Sequence, residues 1–282
     1  MSVQIITSIE DMQTISSRWR LDGFRIGFVP TMGNLHEGHL RLVEKAKQNV
    51  DKVVISIFVN PLQFGPNEDF EKYPRTLDAD IEKLQSLSVD AVFAPDEKSF
   101  YRNDKDKMTY VEVPGLSDIL CGASRPGHFR GVTTVVNKLF NIVQADIAVF
   151  GSKDYQQLTI IRQMVEELAM PVKIIGMDTV REIDGLAMSS RNRYLSTEQR
   201  NIAPKLYQCL QSMRQVIRED EQDLTKLVTE YKKVLLKDGF QIDYLEIRDA
   251  HSFQSIEEPS ENMVILTAVW LGDTRLIDNI LV

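Results

Sequence analysis

Apolar and polar residues alternate in blocks over roughly the first 175 residues. The apolar runs are short and rich in Val, Ile and Phe. They lack period-two alternation, which is typical of strands buried on both faces of a parallel sheet. They lie at 25–30, 52–60, 90–95, 147–151 and 171–177. Apolar residues recur at helical spacing in the stretches between them, at 37–50, 76–88, 131–144 and 155–169. This order predicts an α/β fold: a Rossmann-like, doubly wound parallel sheet with right-handed crossovers.

The pattern changes after Gly176, where a loop-like stretch leads into two helical segments and two apolar strands. Ser196 and Gln199 have the spacing of a capping box that opens the first of these helices. The remaining elements are predicted as a helix over roughly 222–237 and strands over 241–249 and 262–272. We therefore expect a nucleotide-binding domain over 1–177 and a smaller C-terminal α+β domain, a lid, over 178–282.

Composition narrows the class of protein. The net charge of −8 argues against a nucleic-acid partner, because nucleic-acid binders usually carry a basic surplus. No window approaches the apolar length of a membrane span, and the N-terminus lacks the basic and apolar regions of a signal peptide. Cys121 and Cys209 have no metal-like spacing, so we expect two reduced thiols in a cytoplasmic protein.

The segment TMGNLHEGHL, residues 31–40, directly follows the first apolar run and holds two of the four histidines. In open α/β sheets, ligands bind at the carboxyl ends of strands, and a helix N-terminus there suits phosphate. His36 and His39 lie three residues apart and share a face of a helical turn. Two imidazoles beside a phosphate can donate hydrogen bonds to the oxygens where charge grows. We therefore predict a phosphate site here.

Two familiar motifs are excluded at this position. Gly33 and Gly38 have the outline of a P-loop, but the Lys and the Ser or Thr that complete it are absent. HEGH is one residue shorter than the zinc motif H-E-x-x-H, and no third ligand is plain nearby. Two structural histidines that cap a helix stay open as the alternative.

Further polar segments follow the predicted strands. Gln63 lies in a long loop after the second apolar run, and its amide suits a carboxylate or a hydroxyl. Lys153 and Asp154 follow the run that ends at Gly151, where they suit the phosphate and ribose of a nucleotide. The loop that holds Gln63 ends in the predicted helix over 76–88. Asp78 and Asp80 lie in its first turn, either as magnesium ligands or as partners of the helix dipole.

Ser189, Ser190 and Arg191 place two hydroxyls and a guanidinium in a row, and these groups donate well to phosphate oxygens. Positive charge also precedes a helix at Arg125, His128 and Arg130. Each segment alone is also explained as a solvated polar loop. Together, in an acidic chain, they predict a nucleotide triphosphate site suited to phosphoryl or nucleotidyl transfer.

Five motifs, in this order and spacing, resemble the pantothenate synthetase (pantoate–β-alanine ligase) family of the HxGH nucleotidyltransferases. They are PTMGNLHEGH, FVNPLQFGPNEDFEKYPRT, RPGHFRGVTTVV, FGSKDYQQL and AMSSRNRYL, and they span about residues 25–200. The resemblance implies attack of the pantoate carboxylate on the α-phosphorus of ATP, giving pantoyl adenylate. β-Alanine then releases AMP and forms pantothenate. The resemblance also implies magnesium, a homodimer and a cytoplasmic location.

The resemblance implies a role for each matching residue. His39 is expected as the proton donor and His36 as its partner, with Lys153 and Arg191 also stabilising charge on the phosphates. The implied ATP-binding residues are Met32, Gly33, Asn34, Leu35, His36, Glu37, Gly38, His39, Gly151, Ser152, Lys153, Asp154, Val180, Met188, Ser189, Ser190 and Arg191.

The same resemblance implies the acid and amine sites. Gln63 and Gln157 would bind pantoate, and Gln63 would also lie near β-alanine. Asp80 is the candidate magnesium ligand, although Ala79 interrupts the acidic pair that some relatives keep.

Two departures from the family pattern are not expected to remove activity: Ser152 stands where relatives often carry Glu, and Asn34 where they often carry Ala. Two other functions stay as alternatives. One is a nucleotidyltransferase that joins AMP to a phosphorylated small molecule. The other is a nucleotide-binding sensor on the same fold, because a fold does not fix a function.

Overall fold

The computed structural model describes residues 3–66, 68–101, 104, 107–219 and 223–282. The chain forms two compact units. The first comprises the described residues up to 152 together with 156–178, and the second comprises 153–155 together with the described part of 179–282.

The first unit is built on a six-stranded parallel sheet. Its strands are β1 Gln4–Ile6, β2 Ile26–Thr31, β3 Lys52–Ile57, β4 Ala91–Phe93, β5 Ile147–Gly151 and β6 Lys173–Met177, in the order β1-β4-β3-β2-β5-β6. From β2 the chain moves outward to β3 and β4, then returns to β5 on the other side of β2. The strand order therefore reverses between β2 and β5, and this switch point is where open α/β sheets bind ligands. The predicted α/β class and parallel sheet are confirmed.

The helices of this sequence region are α1 Ile9–Leu21, α2 Glu37–Lys47, α3 Leu77–Ser86, α4 Glu97–Phe100, α5 Cys121–Ser124, α6 His128–Val143 and α7 Tyr155–Glu167. The sequence pattern missed α1 and β1. In α1 the only fully buried positions are Met12 and Ser16, so no apolar stripe marks the helix. β1 has three residues and pairs with β4 alone, at the edge of the sheet.

The central strands carry the core of the first unit. Phe28, Val29, Val54 and Ile55 have no exposed surface, which explains why β2 and β3 read as continuous apolar runs. Each strand ends at the same edge of the sheet, because all six run parallel. The buried strands therefore position the polar loops that follow them along one edge of the sheet.

The second unit packs helices against a three-stranded antiparallel sheet. Its elements are α8 Thr197–Ile202, α9 Lys205–Glu219, α10 Leu224–Lys237, β7 Gln241–Asp249, β8 Met263–Leu271 and β9 Thr274–Leu281. The expected capping box is present, with Ser196 Oγ accepting from the Gln199 N–H and Gln199 Oε1 accepting from the Ser196 N–H. β9 escaped prediction because two polar residues, Asp278 and Asn279, are buried in it.

Cys121 and Cys209 are both buried, and neither forms a disulfide. Burial raises the pKa of the Cys209 thiol to about 12. Among the described residues, no helix combines the length and apolarity that crossing a membrane requires.

Candidate active site

The segment after β2 makes a tight turn, residues 32–39, that we call the histidine turn. Thr31 Oγ1 donates to the Ser56 carbonyl at 2.7 Å and accepts from the Gly33 N–H at 3.1 Å. Gly33 and Asn34 are both left-handed, with φ of +81° and +51°. A Cβ at Gly33 would lie 2.9 Å from Cγ2 of Ile57, so both the conformation and the space require glycine.

Asp80, on α3, holds this turn from the side. Its Oδ2 accepts from the Asn34 N–H at 2.8 Å, and its Oδ1 accepts from the Leu35 N–H at 2.7 Å. Thr76 Oγ1 donates to the same carboxylate at 3.2 Å, and Lys83 Nζ donates to the Leu35 carbonyl at 2.6 Å. The carboxylate thus satisfies the backbone donors of a strained turn.

These contacts argue against Asp80 as a magnesium ligand. Its side chain has no exposed surface, and its oxygens already accept from two backbone donors and a hydroxyl. Within the described ranges, no group of three or more His, Cys, Asp or Glu side chains has a geometry that suits a metal. We therefore derive no step through a protein-bound magnesium ion.

The two histidines cap helix α2. His36 Nδ1 accepts from the Gly38 N–H at 3.2 Å, and His39 Nδ1 accepts from the His36 N–H at 3.3 Å. The ring centroids lie 4.1 Å apart. Because each Nδ1 is an acceptor, the hydrogen bonds assign the proton of each neutral ring to Nε2.

The capping interpretation and the phosphate interpretation are therefore compatible, since capping uses Nδ1 and donation to a ligand uses Nε2. His36 and His39 are both half-buried. Glu37 is exposed, and its side chain forms an ion pair with Arg41 Nε at 3.0 Å.

Gln63 ends a short 3-10 turn, Pro61–Gln63, that follows β3. Its Nε2 donates to Met32 Sδ at 3.0 Å, so the structure joins it to the histidine turn. Asn60 caps the 3-10 turn by accepting from the Leu62 N–H, and its Nδ2 donates to Gln63 Oε1 at 3.0 Å. Asn60 is 1% exposed, and the sequence pattern alone did not identify it as a residue of the site. The signal was its place before Pro61 at a strand end, where Asn favours a turn.

His128, the first residue of α6, and Arg125, which follows α5, support the backbone of Gln63. His128 Nδ1 and Arg125 Nη2 both bind the Gln63 carbonyl, at 2.8 and 3.2 Å. Since a carbonyl only accepts, His128 carries its proton on Nδ1, and its Nε2 accepts from Arg125 Nη1 at 3.0 Å. Arg125 also makes a bidentate ion pair with Glu68. The predicted positive charge at Arg125 is thus paired within the protein. A Cβ at Gly131 would lie 2.2 Å from the Leu62 carbonyl oxygen, which shows how closely α6 meets the turn.

Strand β5 brings Gly151 and Ser152 to the switch point beside β2. Gln156 and Gln157 follow in the first turn of α7. The Gln156 side chain is buried and donates to the carbonyls of Leu116 and Ile119, both at 2.8 Å. Gln157 is half-buried. The structure thus gives Gln156 a packing role.

In the second unit, residues 180–188 form a hairpin that we call the arginine hairpin. The Val180 carbonyl accepts from the Met188 N–H at 3.0 Å, and Gly185 closes the hairpin with φ of +92°. Ser189 Oγ then caps a 3-10 turn, Ser190–Tyr194, by accepting from the Arg191 N–H at 3.2 Å. Val180 and the segment from Met188 to Arg191 are therefore brought together.

Arginine–carboxylate pairs hold this hairpin. Arg181 makes a bidentate pair with Asp278 at 2.7 and 2.8 Å. Arg200 binds Glu182 at 2.5 Å and Asp184 at 2.6 Å. The hydrogen bond from Arg200 lowers the pKa of the Asp184 carboxyl and, in turn, raises the pKa of Arg200.

The predicted residues thus fall into two sets. The first unit assembles the histidine turn, Gln63, Gly151, Ser152 and Gln157 along the carboxyl ends of β2, β3 and β5. The second unit holds Lys153, Asp154, Val180 and the segment from Met188 to Arg191.

A capped His-x-Gly-His turn at the switch point of a parallel sheet defines a class of α/β protein in which a helix N-terminus, a position that suits phosphate, lies where open sheets bind ligands. The particular family follows from comparison with known sequences. The family model described as pantoate-beta-alanine ligase matches residues 4–281, and the chain belongs to this family.

Curated and solved relatives agree. A pantothenate synthetase of Pseudomonas fluorescens is 56% identical over 275 residues, covering 98% of this chain and 96% of the relative. The crystal structure of pantothenate synthetase from Thermus thermophilus has a TM-score of 0.92 and 42% identity, with 99% of each chain covered. A pantoate-beta-alanine ligase from Francisella tularensis, complexed with beta-gamma ATP and beta-alanine, has a TM-score of 0.81 and 37% identity. The match covers 99% of this chain and 98% of that relative.

Proposed function

We propose that this chain is an ATP-dependent ligase that condenses pantoate with β-alanine, through pantoyl adenylate, to give pantothenate, AMP and pyrophosphate. The histidine turn is the observation that carries the proposal. It places His36 and His39, which cap α2 through their Nδ1 atoms, at the switch point of the sheet in a chain of the pantoate–β-alanine ligase family. The Francisella tularensis relative, solved in complex with beta-gamma ATP and beta-alanine, supports both substrates.

In the first step, a carboxylate oxygen of pantoate bonds to the α-phosphorus of ATP. The bond from that phosphorus to the bridging oxygen breaks, and pyrophosphate leaves. The carboxylate is already an anion at neutral pH and requires no base. The charge that gathers on the phosphates requires stabilisation, which we assign to His39, His36, Lys153 and Arg191.

In the second step, the amine of β-alanine bonds to the acyl carbon, the bond from that carbon to the AMP oxygen breaks, and the amine gives up a proton to solvent. We assign pantoate to Gln63 and Gln157, and β-alanine to Gln63. The contact of Gln63 with Met32 supports this assignment, because it joins a proposed pantoate-binding residue to the histidine turn.

We assign ATP to the residues that the resemblance implies, from Met32 to His39, from Gly151 to Asp154, at Val180, and from Met188 to Arg191. The second unit would serve as the lid. Glu37 has the weakest support of this set, because its side chain is exposed and paired with Arg41.

Three properties implied by the resemblance stay predictions. Magnesium would accompany ATP as the nucleotide-bound ion. A homodimer is tested by light scattering, which should give twice the 32.3 kDa of the chain. A cytoplasmic location is tested by fractionation of the source cells.

The deciding experiment is pyrophosphate–ATP exchange with pantoate and magnesium but without β-alanine. Exchange that requires pantoate supports an acyl adenylate, and added β-alanine should then release AMP and pantothenate. A stable dinucleotide product would favour a different nucleotidyl transfer. ATP binding without any turnover would favour the sensor.

A further inference from the structure

Strand β9 carries two neighbouring polar residues that are both buried. Asp278 is 4% exposed and Asn279 is 7% exposed. Neighbours on a strand point to opposite faces, so these two side chains leave the strand in different directions. A buried polar pair in a small sheet is costly unless each member is bonded.

Asp278 reaches the arginine hairpin. Its carboxylate receives two hydrogen bonds from Arg181, the residue after Val180, and the guanidinium lies 3.4 Å from the ring centroid of Tyr207. Arg181 Nη1 also donates to the Gly185 carbonyl at 3.1 Å. The pair therefore ties both the first strand and the tip of the hairpin to β9.

Asn279 contacts the segment that contains Lys153, which lies in the same unit. Its Nδ2 donates to the Lys153 carbonyl at 2.8 Å. Two residues further on, Tyr155 Oη donates to the Ala250 carbonyl at 3.2 Å, and its ring stacks on Phe253 with centroids 5.9 Å apart. The backbone that carries Lys153 is thus fixed to the second unit, one position along β9 from where Arg181 is held.

We propose that Asp278 and Asn279 are positioning residues that set the spacing between Lys153 and the segment ending at Arg191. This inference rests on the proposed function, in which those two cations bind the phosphates of ATP. Neither Asp278 nor Asn279 has to touch ATP. Asn279 acts through the carbonyl of Lys153, and Asp278 acts through Arg181 and the hairpin.

The test is a double-mutant cycle on ATP binding, measured by calorimetry with ATP and magnesium so that inactive variants are still read. Asn279→Ala should weaken ATP binding about tenfold, the size expected from losing a hydrogen bond that positions a phosphate-binding cation. In a Lys153→Ala background the same change should weaken binding less than about twofold, because the cation whose position Asn279 sets is gone.

The matched control is Thr267→Val. Thr267 is 1% exposed, pairs with Asp278 in the strand register, and donates to the Tyr244 carbonyl at 3.0 Å. It should lower stability without changing ATP binding. If Asn279→Ala fails to fold, Asn279→Ser takes its place in the same cycle.

A second cycle tests the other connection, with Arg181→Met against Arg191→Ala. The inference is overturned if either change weakens ATP binding equally in the unmodified protein and in the second-variant background, or if Thr267→Val weakens it as much. Asp278 and Asn279 would then be structural residues only. Failure of the proposed function would appear separately, as absent pantoate-dependent exchange in the unmodified protein.

Discussion

The histidine turn and the arginine hairpin both hold residues that we assign to ATP, but different contacts fix the two backbones. In the turn, backbone N–H groups are held by the buried Asp80 carboxylate and by the Nδ1 atoms of the half-buried His36 and His39. In the hairpin, guanidinium–carboxylate pairs hold the backbone, and the pairs of Arg200 are partly exposed.

The difference concerns how each region tolerates change. A strained turn fixed by short bonds to a buried acceptor has one geometry, and losing that acceptor leaves backbone donors unsatisfied. Exposed ion pairs contribute little each and are screened by salt. We therefore expect sharp losses from changes in the turn and graded ones from changes at the exposed side of the hairpin.

The largest effect should come from His39. His39→Ala should slow adenylate formation by roughly 10²–10³-fold, the size seen when one oxyanion donor is lost. His39→Asn sharpens the test, because its amide oxygen can replace Nδ1 as the acceptor of the cap while the Nε2–H donor is lost. Pyrophosphate exchange measures the rate, and His251→Ala, at an exposed histidine, is the control.

Full activity in His39→Asn together with a loss in His39→Ala would mean that His39 serves only as a cap. A change under about threefold in both variants would remove His39 from the mechanism.

Next in size is Asp80. Asp80→Ala should lower the free energy of unfolding by about 3 kcal/mol, because it strips a buried turn of its acceptor. Asp78→Ala, at an exposed position two residues earlier in the same helix, should change stability little. Urea unfolding measures both variants.

The same position decides between a structural role and a metal role for Asp80. Asp80→Asn should lose stability with no magnesium present, and its magnesium requirement in exchange should match that of the unmodified protein. A normal stability with a shifted magnesium requirement would restore Asp80 as a metal ligand.

Glycine substitutions compare the two regions directly. Gly33→Ala should lower stability by about 2 kcal/mol, from left-handed strain plus crowding against Ile57 and Asp80. Gly185→Ala, whose Cβ would lie 3.0 Å from Tyr207 Cδ1, should cost a similar amount. Gly23→Ala, with φ of +82° and nothing within 4 Å, isolates the strain at about 1 kcal/mol. Urea unfolding measures all three, and equal losses would show that crowding contributes nothing.

Sequence patterns predicted the elements with continuous apolar runs or a regular apolar period, and missed α1 and β9, in which the apolar pattern is interrupted. β2, β3 and β5 follow their runs closely because both faces are buried. Ser16 in α1 and Asp278 and Asn279 in β9 broke the periodicity on which such predictions depend.

The site shows the same division. His36 and His39 could be chosen from their spacing after a strand, but the partners that hold the neighbouring backbone could not. Asp80 is 46 residues from Asn34, and Asn279 is 126 residues from Lys153. Only tertiary structure brings such pairs together, so a local pattern carries no trace of them.

The smallest effect concerns the exposed pair of the hairpin. Arg200 lowers the pKa of Asp184, so this carboxylate adds stability above its usual pKa, and the contribution is lost as the pH falls through the lowered value. Asp184→Asn should therefore be less stable than the unmodified protein at pH 7, by about half a kcal/mol or less because the pair is exposed. The gap should close in acid and in molar salt.

Thermal unfolding of both proteins between pH 7 and about pH 2 measures this gap from above the usual pKa of a carboxyl to well below it, as the lowered pKa of Asp184 requires. Glu257→Gln, at an exposed loop position, removes the same charge and serves as the control for net charge. A gap that persists in acid and in salt would mean that Asp184 acts through its hydrogen bond to the Leu186 N–H and not through Arg200. In that case the exposed side of the hairpin would be held as the histidine turn is, by acceptors of backbone N–H groups, and the contrast between the two regions would rest on Arg181 and Asp278 alone.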